Sequence, residues 1–229
     1  MPLFLLHGAI GSSQQLKPLQ AELIKSGFDT KLFDFCGHGG REIPATPFSI
    51  SLFADELVNW MDDHRMGEID IFGYSMGGYV ALYMAKHYPE RVGKILTLAT
   101  KLAWDVPTAE KEVKMLNPEK IAEKVPKFAE ALQQRHAPAD WKVVLNKTAE
   151  MMLAMGAVPP LKDEDFRAIT HKVQLCVGDR DNMVSESETR NVHHLITGSV
   201  FYLLPETPHP VEQMEIAKLR QLAENFFQG

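Results

Sequence analysis

The sequence predicts an α/β fold: a doubly wound, mostly parallel sheet of about six strands, interrupted by an all-helical insertion. Short apolar runs alternate with longer segments of helical periodicity over residues 1–100 and again over 163–229. Residues 101–162 instead hold helical segments separated by prolines, with no clear strand. Near-continuous apolar strands that alternate with helices are typical of a parallel sheet covered on both faces. We therefore expect 1–100 and 163–229 to form the core and 101–162 to form a lid.

Four strands and three helices are predicted before the insertion. The strands are short apolar runs at 2–8, 29–35, 68–73 and 93–99. The helices are predicted at 14–26, closed by Gly27, and at 49–64 and 76–88. After the insertion, we expect strands at 172–178 and 199–205 and helices near 185–196 and at 210–227.

The composition is that of a soluble globular protein, with 229 residues of which 45% are hydrophobic and 24% charged. A net charge of −6 without a basic stripe argues against nucleic acid as a partner. No run reaches the roughly 18 apolar residues of a membrane span, and the start "MPLFLL" lacks the basic residues of a signal peptide. Cys36 and Cys176 could form a disulfide, but the apolar run around Cys176 favours two free thiols. We expect a cytoplasmic protein with a small-molecule substrate and no membrane partner.

The stretch "GYSMG" (73–77) fits the pattern G-x-S-x-G where a predicted strand ends and a predicted helix begins. This is the context of a nucleophile elbow, in which the serine occupies a strained turn and only very small residues fit two positions away. The alternative is that Ser75 is an ordinary helix N-cap. An N-cap would explain Ser75 but not both Gly73 and Gly77, so we favour a nucleophile.

A serine nucleophile needs a base, and the base needs an acid that holds its tautomer. Asp179 and Asp181 follow one predicted strand and His209 follows the next, in the order Ser, Asp, His. Taken singly, Asp181 could hold a turn and His209 could be a surface residue, but their joint placement favours catalysis. The adjacent pair His193 and His194 has no third ligand nearby in the sequence, so no metal site is expected.

An oxyanion hole requires two backbone N–H groups. The residue after the nucleophile, Met76, is one expected donor. The loop after the first strand, "HGAIGSS", should supply the other, and Ala9 is the best placed residue in it. The His7 side chain is expected to be structural.

The insertion is expected to shape the substrate pocket. Its apolar residues could form a helical core or line the pocket, a role that methionine suits. The tentative substrate-binding residues are Trp104, Met151 and Met155. If Arg135 or a lysine of the insertion turned inward, the substrate could be an anion.

Four motifs occur in order: "LLHG" (5–8), "DFCGHGG" (34–40), "GYSMGG" (73–78) and "GDRDNMV" (178–184), the last followed by His209. With these motifs the chain resembles the α/β-hydrolase superfamily over about 1–100 and 165–229. It looks most like the small members with a helical lid, such as carboxylesterases, 2-hydroxymuconate-type C–C hydrolases and menaquinone-pathway synthases. The resemblance implies a sheet ordered 4-3-5-6-7-8 in the family's strand numbering and no cofactor.

The resemblance also implies the roles of the site residues. Ser75 would be the nucleophile, His209 the base, and Asp181 rather than Asp179 the acid, since it is the second acid of G-D-x-D-x-x-V. Two features depart from the family. Pro208 stands where a glycine is usual, which implies a stiffer base loop. The two N-terminal strands common in the family are missing, so we expect a short sheet on that edge.

Three functions are compatible with these residues. The first is a serine hydrolase acting through an acyl-enzyme on a small, largely apolar ester or thioester. The second is a lyase, synthase or C–C bond hydrolase with the same triad. The third is a non-catalytic binding protein on the same scaffold, which an intact triad disfavours.

Overall fold

A six-stranded sheet runs through the protein. The computed structural model describes residues 1–229. Its strands are β1 (Leu3–Leu6), β2 (Thr30–Phe33), β3 (Ile69–Tyr74), β4 (Val92–Leu98), β5 (Val173–Gly178) and β6 (Val200–Leu204). They are ordered β2-β1-β3-β4-β5-β6, and every neighbouring pair is parallel. The predicted fold class and strand order are therefore confirmed.

Ten helices accompany the sheet. They are α1 (Lys17–Lys25), α2 (Ile50–Asp63), α3 (Met76–His87), α4 (Val106–Val113), α5 (Pro118–Lys124), α6 (Pro126–His136), α7 (Trp141–Ala157), α8 (Asp163–Arg167), α9 (Glu186–Leu195) and α10 (Ile216–Phe227). Residues 101–162 hold α4 to α7 and no strand. None of the helices is long and apolar enough to cross a membrane.

Side chains of the strands divide the core into two layers, because successive residues of a strand point to opposite faces of the sheet. In β1, Phe4 and Leu6 join a cluster of 33 buried residues that includes α2 and α3. Leu3 and Leu5 join a second cluster of 18, which includes residues of α1 and α10. The sheet is thus covered on both sides and holds its loops at fixed positions.

Four elements differ from the prediction. Helix α8 was not expected, and the first predicted helix begins as a 3-10 turn over Ser13–Leu16. The last helix begins at Ile216 rather than at 210, because Val211–Gln213 forms a 3-10 turn and Met214 is extended at ψ 148°. Periodicity could not distinguish that turn from the first turn of a helix. Strand β6 is not buried on both faces, since Val200 and Tyr202 are about half exposed at the edge of the sheet.

Candidate active site

Ser75 lies between the last residue of β3 and the first residue of α3. Its backbone has φ 51° and ψ −117°, a left-handed conformation that a residue with a side chain rarely adopts. The Ser75 N–H donates to the Leu98 carbonyl at 2.8 Å, which fixes the turn on the neighbouring strand. The strain is of the kind found at functional sites, and Ser75 makes no N-cap bond to α3 through its side chain.

The glycines around Ser75 are required by close packing. A Cβ on Gly77 would lie under 3.0 Å from the Leu6 carbonyl group of β1. A Cβ on Gly73 would lie 2.5 Å from the backbone of Gly78. Any side chain at either position would therefore push α3 away from the sheet and displace the turn.

His209 and Asp181 converge on Ser75 from the loops after β6 and β5. The Ser75 Oγ to His209 Nε2 distance is 3.5 Å, at the long end for a hydrogen bond. Nucleophile–base pairs are often this long and tighten in the complex with substrate. On the other side of the ring, His209 Nδ1 lies 2.8 Å from Asp181 Oδ2. The three side chains thus form one row.

Both partners are held by their surroundings. The second carboxylate oxygen of Asp181 accepts from the backbone N–H groups of Met183 and Val184, each at 2.8 Å. The Asp181 side chain is fully buried, and the Tyr74 hydroxyl donates to the His209 carbonyl at 3.0 Å. Asp181 therefore bonds to a turn through one carboxylate oxygen and to the His209 ring through the other.

Asp179 is directed elsewhere. Its side chain is exposed, and one of its oxygens accepts from the Thr207 N–H at 3.2 Å. Hydrogen bonds from backbone N–H groups, first of Glu206 and then of Thr207, lower the pKa of Asp179. The geometry brings Asp181 to His209 and leaves Asp179 in a turn.

The loop after β1 lies beside Ser75. A Cβ on Gly8 would lie 3.0 Å from the Ser75 Cβ, and Ala9 borders the same cavity as Met76. Met76 is the first residue of α3, where N–H groups have no partner within the helix. Both expected oxyanion donors, Ala9 and Met76, therefore border the space next to the serine hydroxyl.

Helix α6 holds this loop from above. Ile10, at φ 52°, presents its carbonyl to Arg135 Nη1 at 3.1 Å and to His136 Nε2 at 3.0 Å. Arg135 also pairs with Glu212, at 3.2 Å, on the loop that carries His209. The insertion thus connects the two loops that face Ser75. Nothing in the periodicity of the sequence signals these contacts.

Three buried histidines, His7, His38 and His136, lie beneath the same loop, with neighbouring ring centroids 5.1 and 5.7 Å apart. His7 bonds through Nδ1 to the Gly8 carbonyl at 2.8 Å and through Nε2 to the Phe35 N–H at 3.2 Å. This pattern assigns the proton to Nδ1. Burial lowers the pKa of His7 to about 4 and also lowers those of His38 and His136. All three are therefore neutral at pH 7.

A cavity of about 250 Å³ opens above Ser75. Most of its wall is apolar, and Trp104, Met151 and Met155 all belong to it. Of the other apolar residues of the insertion, Phe128 lines the cavity, whereas Met115 points to solvent and Leu132 is buried in a separate cluster.

Four charged residues also line this wall, and the two cations among them are Arg135 and a lysine of the insertion, as the sequence analysis considered. The four are Lys101, Glu112, Arg135 and Glu212. They are paired within the protein, since Lys101 Nζ lies 3.6 Å from Glu112 and Arg135 lies 3.2 Å from Glu212. No group of three His, Cys, Asp or Glu side chains is placed to hold a metal ion.

Comparison with protein families matches residues 1–197 to a model described as alpha/beta hydrolase fold. Ethanol acetyltransferase 1 of Kluyveromyces marxianus is 28% identical over 92 residues, which are 39% of this chain and 25% of that protein. Proline iminopeptidase of Lactobacillus delbrueckii subsp. bulgaricus is 33% identical over 112 residues, 45% of this chain and 38% of that protein. The matches therefore span at most 38% of the length of these two relatives.

Solved structures resemble the whole chain. An esterase from Thermogutta terrifontis superposes with a TM-score of 0.79 at 21% identity, covering 100% of this chain and 89% of that one. The enol-lactonase from Burkholderia xenovorans LB400 gives 0.75 at 16% identity, covering 100% and 92%. At these identities the likeness establishes the fold.

Proposed function

Because the chain belongs to the alpha/beta hydrolase fold family and is an enzyme of that type, we propose that it is a serine hydrolase with Ser75, His209 and Asp181 as its triad. The observation that supports this most directly is the row formed by these three side chains beneath one cavity. Three residues that lie 28 to 134 positions apart in the chain meet there, with the serine on a strained turn.

In the proposed reaction, Ser75 Oγ attacks the carbonyl carbon of the substrate while His209 Nε2 takes its proton. Asp181 stabilises the imidazolium through Nδ1. The backbone N–H groups of Ala9 and Met76 bind the oxyanion, a contribution whose loss costs roughly 10²–10³ in rate for one donor. His209 then protonates the leaving alcohol or thiol, and water releases the acid from the acyl-enzyme.

The substrate we propose is a small, largely apolar carboxylic ester or thioester, as for a carboxylesterase. The cavity supports this choice, because it is small and its wall is mostly apolar. We further propose that residues 101–162 act as a cap over the core formed by 1–100 and 163–229. Trp104, Met151 and Met155 would then contact the substrate from the cap.

The first test is covalent labelling. A fluorophosphonate probe should label the wild-type protein and should not label Ser75→Ala. Ser185→Ala, which changes a serine that caps α9, is the matched control and should be labelled normally. An unlabelled wild-type protein would favour a binding protein on the same scaffold.

The second test is turnover. p-Nitrophenyl esters of short to medium chain length should be hydrolysed by the wild-type protein, and Ser75→Ala and His209→Ala should lose this activity. A protein that is labelled on Ser75 but hydrolyses no ester would instead favour a lyase, a synthase or a C–C bond hydrolase.

A further inference from the structure

Glu112 is a buried carboxylate in the wall of the cavity, in the last turn of α4. Its side chain is only 4% exposed, yet it accepts no hydrogen bond from any protein donor; its one charged neighbour is Lys101 Nζ at 3.6 Å. Burying a carboxylate is costly unless hydrogen bonds satisfy it, and a negative charge near a helix C-terminus adds to that cost. The position of Glu112 is therefore unfavourable for stability alone.

The neighbouring carboxylates are satisfied. Glu188 also faces Lys101, at 3.7 Å, but it accepts from the Leu102 N–H at 3.0 Å and from the backbone N–H and hydroxyl of Ser185. Glu212 accepts from Gln15 and Arg135. Glu212 is also 45% exposed to solvent, so Glu112 is the buried carboxylate of this wall that has no hydrogen-bond donor.

The charge balance of the wall decides what Glu112 can accept. Lys101 already faces two carboxylates and donates to the Met183 carbonyl at 3.0 Å, and Arg135 is paired with Glu212. Together with Glu188, which faces Lys101 but does not line the cavity, the two carboxylates of the wall make three that face two cations. An anionic group on a substrate would add a fourth negative charge, whereas a hydroxyl or ammonium group would supply the missing donor.

The position of Glu112 is also rigid. Helix α4 packs closely on α7, where a Cβ on Gly156 would lie 2.5 Å from the Ala109 Cβ. Met151 and Met155 of α7 line the same cavity. A substrate packed on these methionines would present its remaining polar group to a carboxylate whose helix is held in place.

We propose that Glu112 accepts a hydrogen bond from a hydroxyl or ammonium group of the substrate and makes the enzyme selective for esters that carry such a donor. The selectivity among esters rests on the proposed function, whereas the binding of a donor group at Glu112 does not. The two cations of the wall do not select an anionic substrate, because Lys101 and Arg135 are already paired with carboxylates of the protein.

Binding is measured first, by calorimetric titration of Ser75→Ala with hexylammonium, hexan-1-ol and hexanoate. Hexylammonium and hexanol should each bind at least about tenfold more tightly than hexanoate, since hydrogen bonds to a buried charged acceptor contribute at this level. Adding Glu112→Met should abolish both preferences. Adding Glu112→Gln, which keeps a neutral acceptor, should retain the preference for hexanol and lose that for hexylammonium. Tighter binding of hexanoate would overturn the proposal.

Turnover is measured next, with p-nitrophenyl hexanoate, 6-hydroxyhexanoate and 6-aminohexanoate. In the wild-type protein, kcat/KM for the two donor esters should exceed that for hexanoate by about tenfold, and Glu112→Met should bring the ratio near one. Glu110→Gln removes an exposed carboxylate from the same helix and should leave the ratio unchanged. A ratio that is the same in wild type and Glu112→Met would refute the role of Glu112.

Thermal unfolding separates this role from a structural one. Glu112→Met should keep or raise the unfolding midpoint, because Lys101 retains Glu188. If Glu112→Met lowered the unfolding midpoint but kept the preference for hydroxyl and ammonium groups, Glu112 would serve only the fold. If no ester were hydrolysed, the proposed function would fail, and the titration of Ser75→Ala would still decide on Glu112.

Discussion

Acidification from pH 7 to pH 5 is expected to destabilise the protein through His7, which is fully buried beneath the loop that carries Ala9. Burial lowers its pKa from 6.5 to about 4 in the folded protein. In the unfolded chain the same ring takes up a proton below about pH 6.5. Between pH 6.5 and about pH 4 the unfolded state therefore binds more protons than the folded state, so the free energy of unfolding falls as the pH falls.

The magnitude follows from the two pKa values. The difference between 6.5 and about 4 corresponds to about 3.4 kcal/mol when the pH lies below both. At pH 5 about 2 kcal/mol of this has been lost. His38 and His136 change stability with the same sign, because burial lowers their pKa values too. The whole protein should therefore lose at least about 2 kcal/mol.

Urea unfolding at pH 7 and pH 5 measures the effect, with His7→Gln as the test variant. A glutamine oxygen can accept the Phe35 N–H in place of His7 Nε2, but it does not titrate. His7→Gln should lose about 2 kcal/mol less on acidification than the wild-type protein. His194→Gln, at an exposed histidine, should lose as much as the wild type. Equal losses in His7→Gln and the wild type would refute the reasoning.

Three further outcomes are expected. Asp181→Asn should lower kcat on p-nitrophenyl esters by about 10³–10⁴, whereas Asp179→Asn should retain most activity; the opposite order would contradict the assignment. Gly77→Ala should lower the free energy of unfolding by several kcal/mol or prevent folding, because its Cβ would overlap the Leu6 carbonyl, and a midpoint like that of the wild type would contradict this. Burial raises the pKa of the free Cys36 thiol to about 12, so iodoacetamide at pH 8 should alkylate it roughly 10³-fold more slowly in the native protein than in urea; equal rates would contradict this.

Local sequence patterns were enough to predict the fold and to identify Ser75 and His209 at the candidate site. The apolar runs predicted all six strands, and the central strands β1, β3 and β5 were the clearest because a strand buried on both faces has no polar side. Gly73 and Gly77 identified the turn at Ser75 because the packing there leaves no room for a side chain, and glycine is the residue that has none. His209 could be found because parallel strands bring their carboxyl ends, and the loops after them, to one edge of the sheet.

Contacts between distant segments could be decided only by the folded chain. Whether Asp179 or Asp181 faced His209 depended on the path of a short loop, and the resemblance to a family, rather than any pattern in this chain, favoured Asp181. The 3-10 turn before α10 escaped detection because its residues suit a helix equally well.

By itself, the sequence determined where the strands, most of the helices and the strained serine turn occur, since these depend on apolar periodicity and on the size of neighbouring side chains. Only the tertiary structure decided that Arg135 and His136 hold Ile10, and that Glu112 faces the cavity without a hydrogen-bond donor. The physical reason is that the sequence pattern of a short helix is the same whether a charged residue on it points to solvent or into a cavity. Its direction is set by how the helix packs against residues far away in the chain.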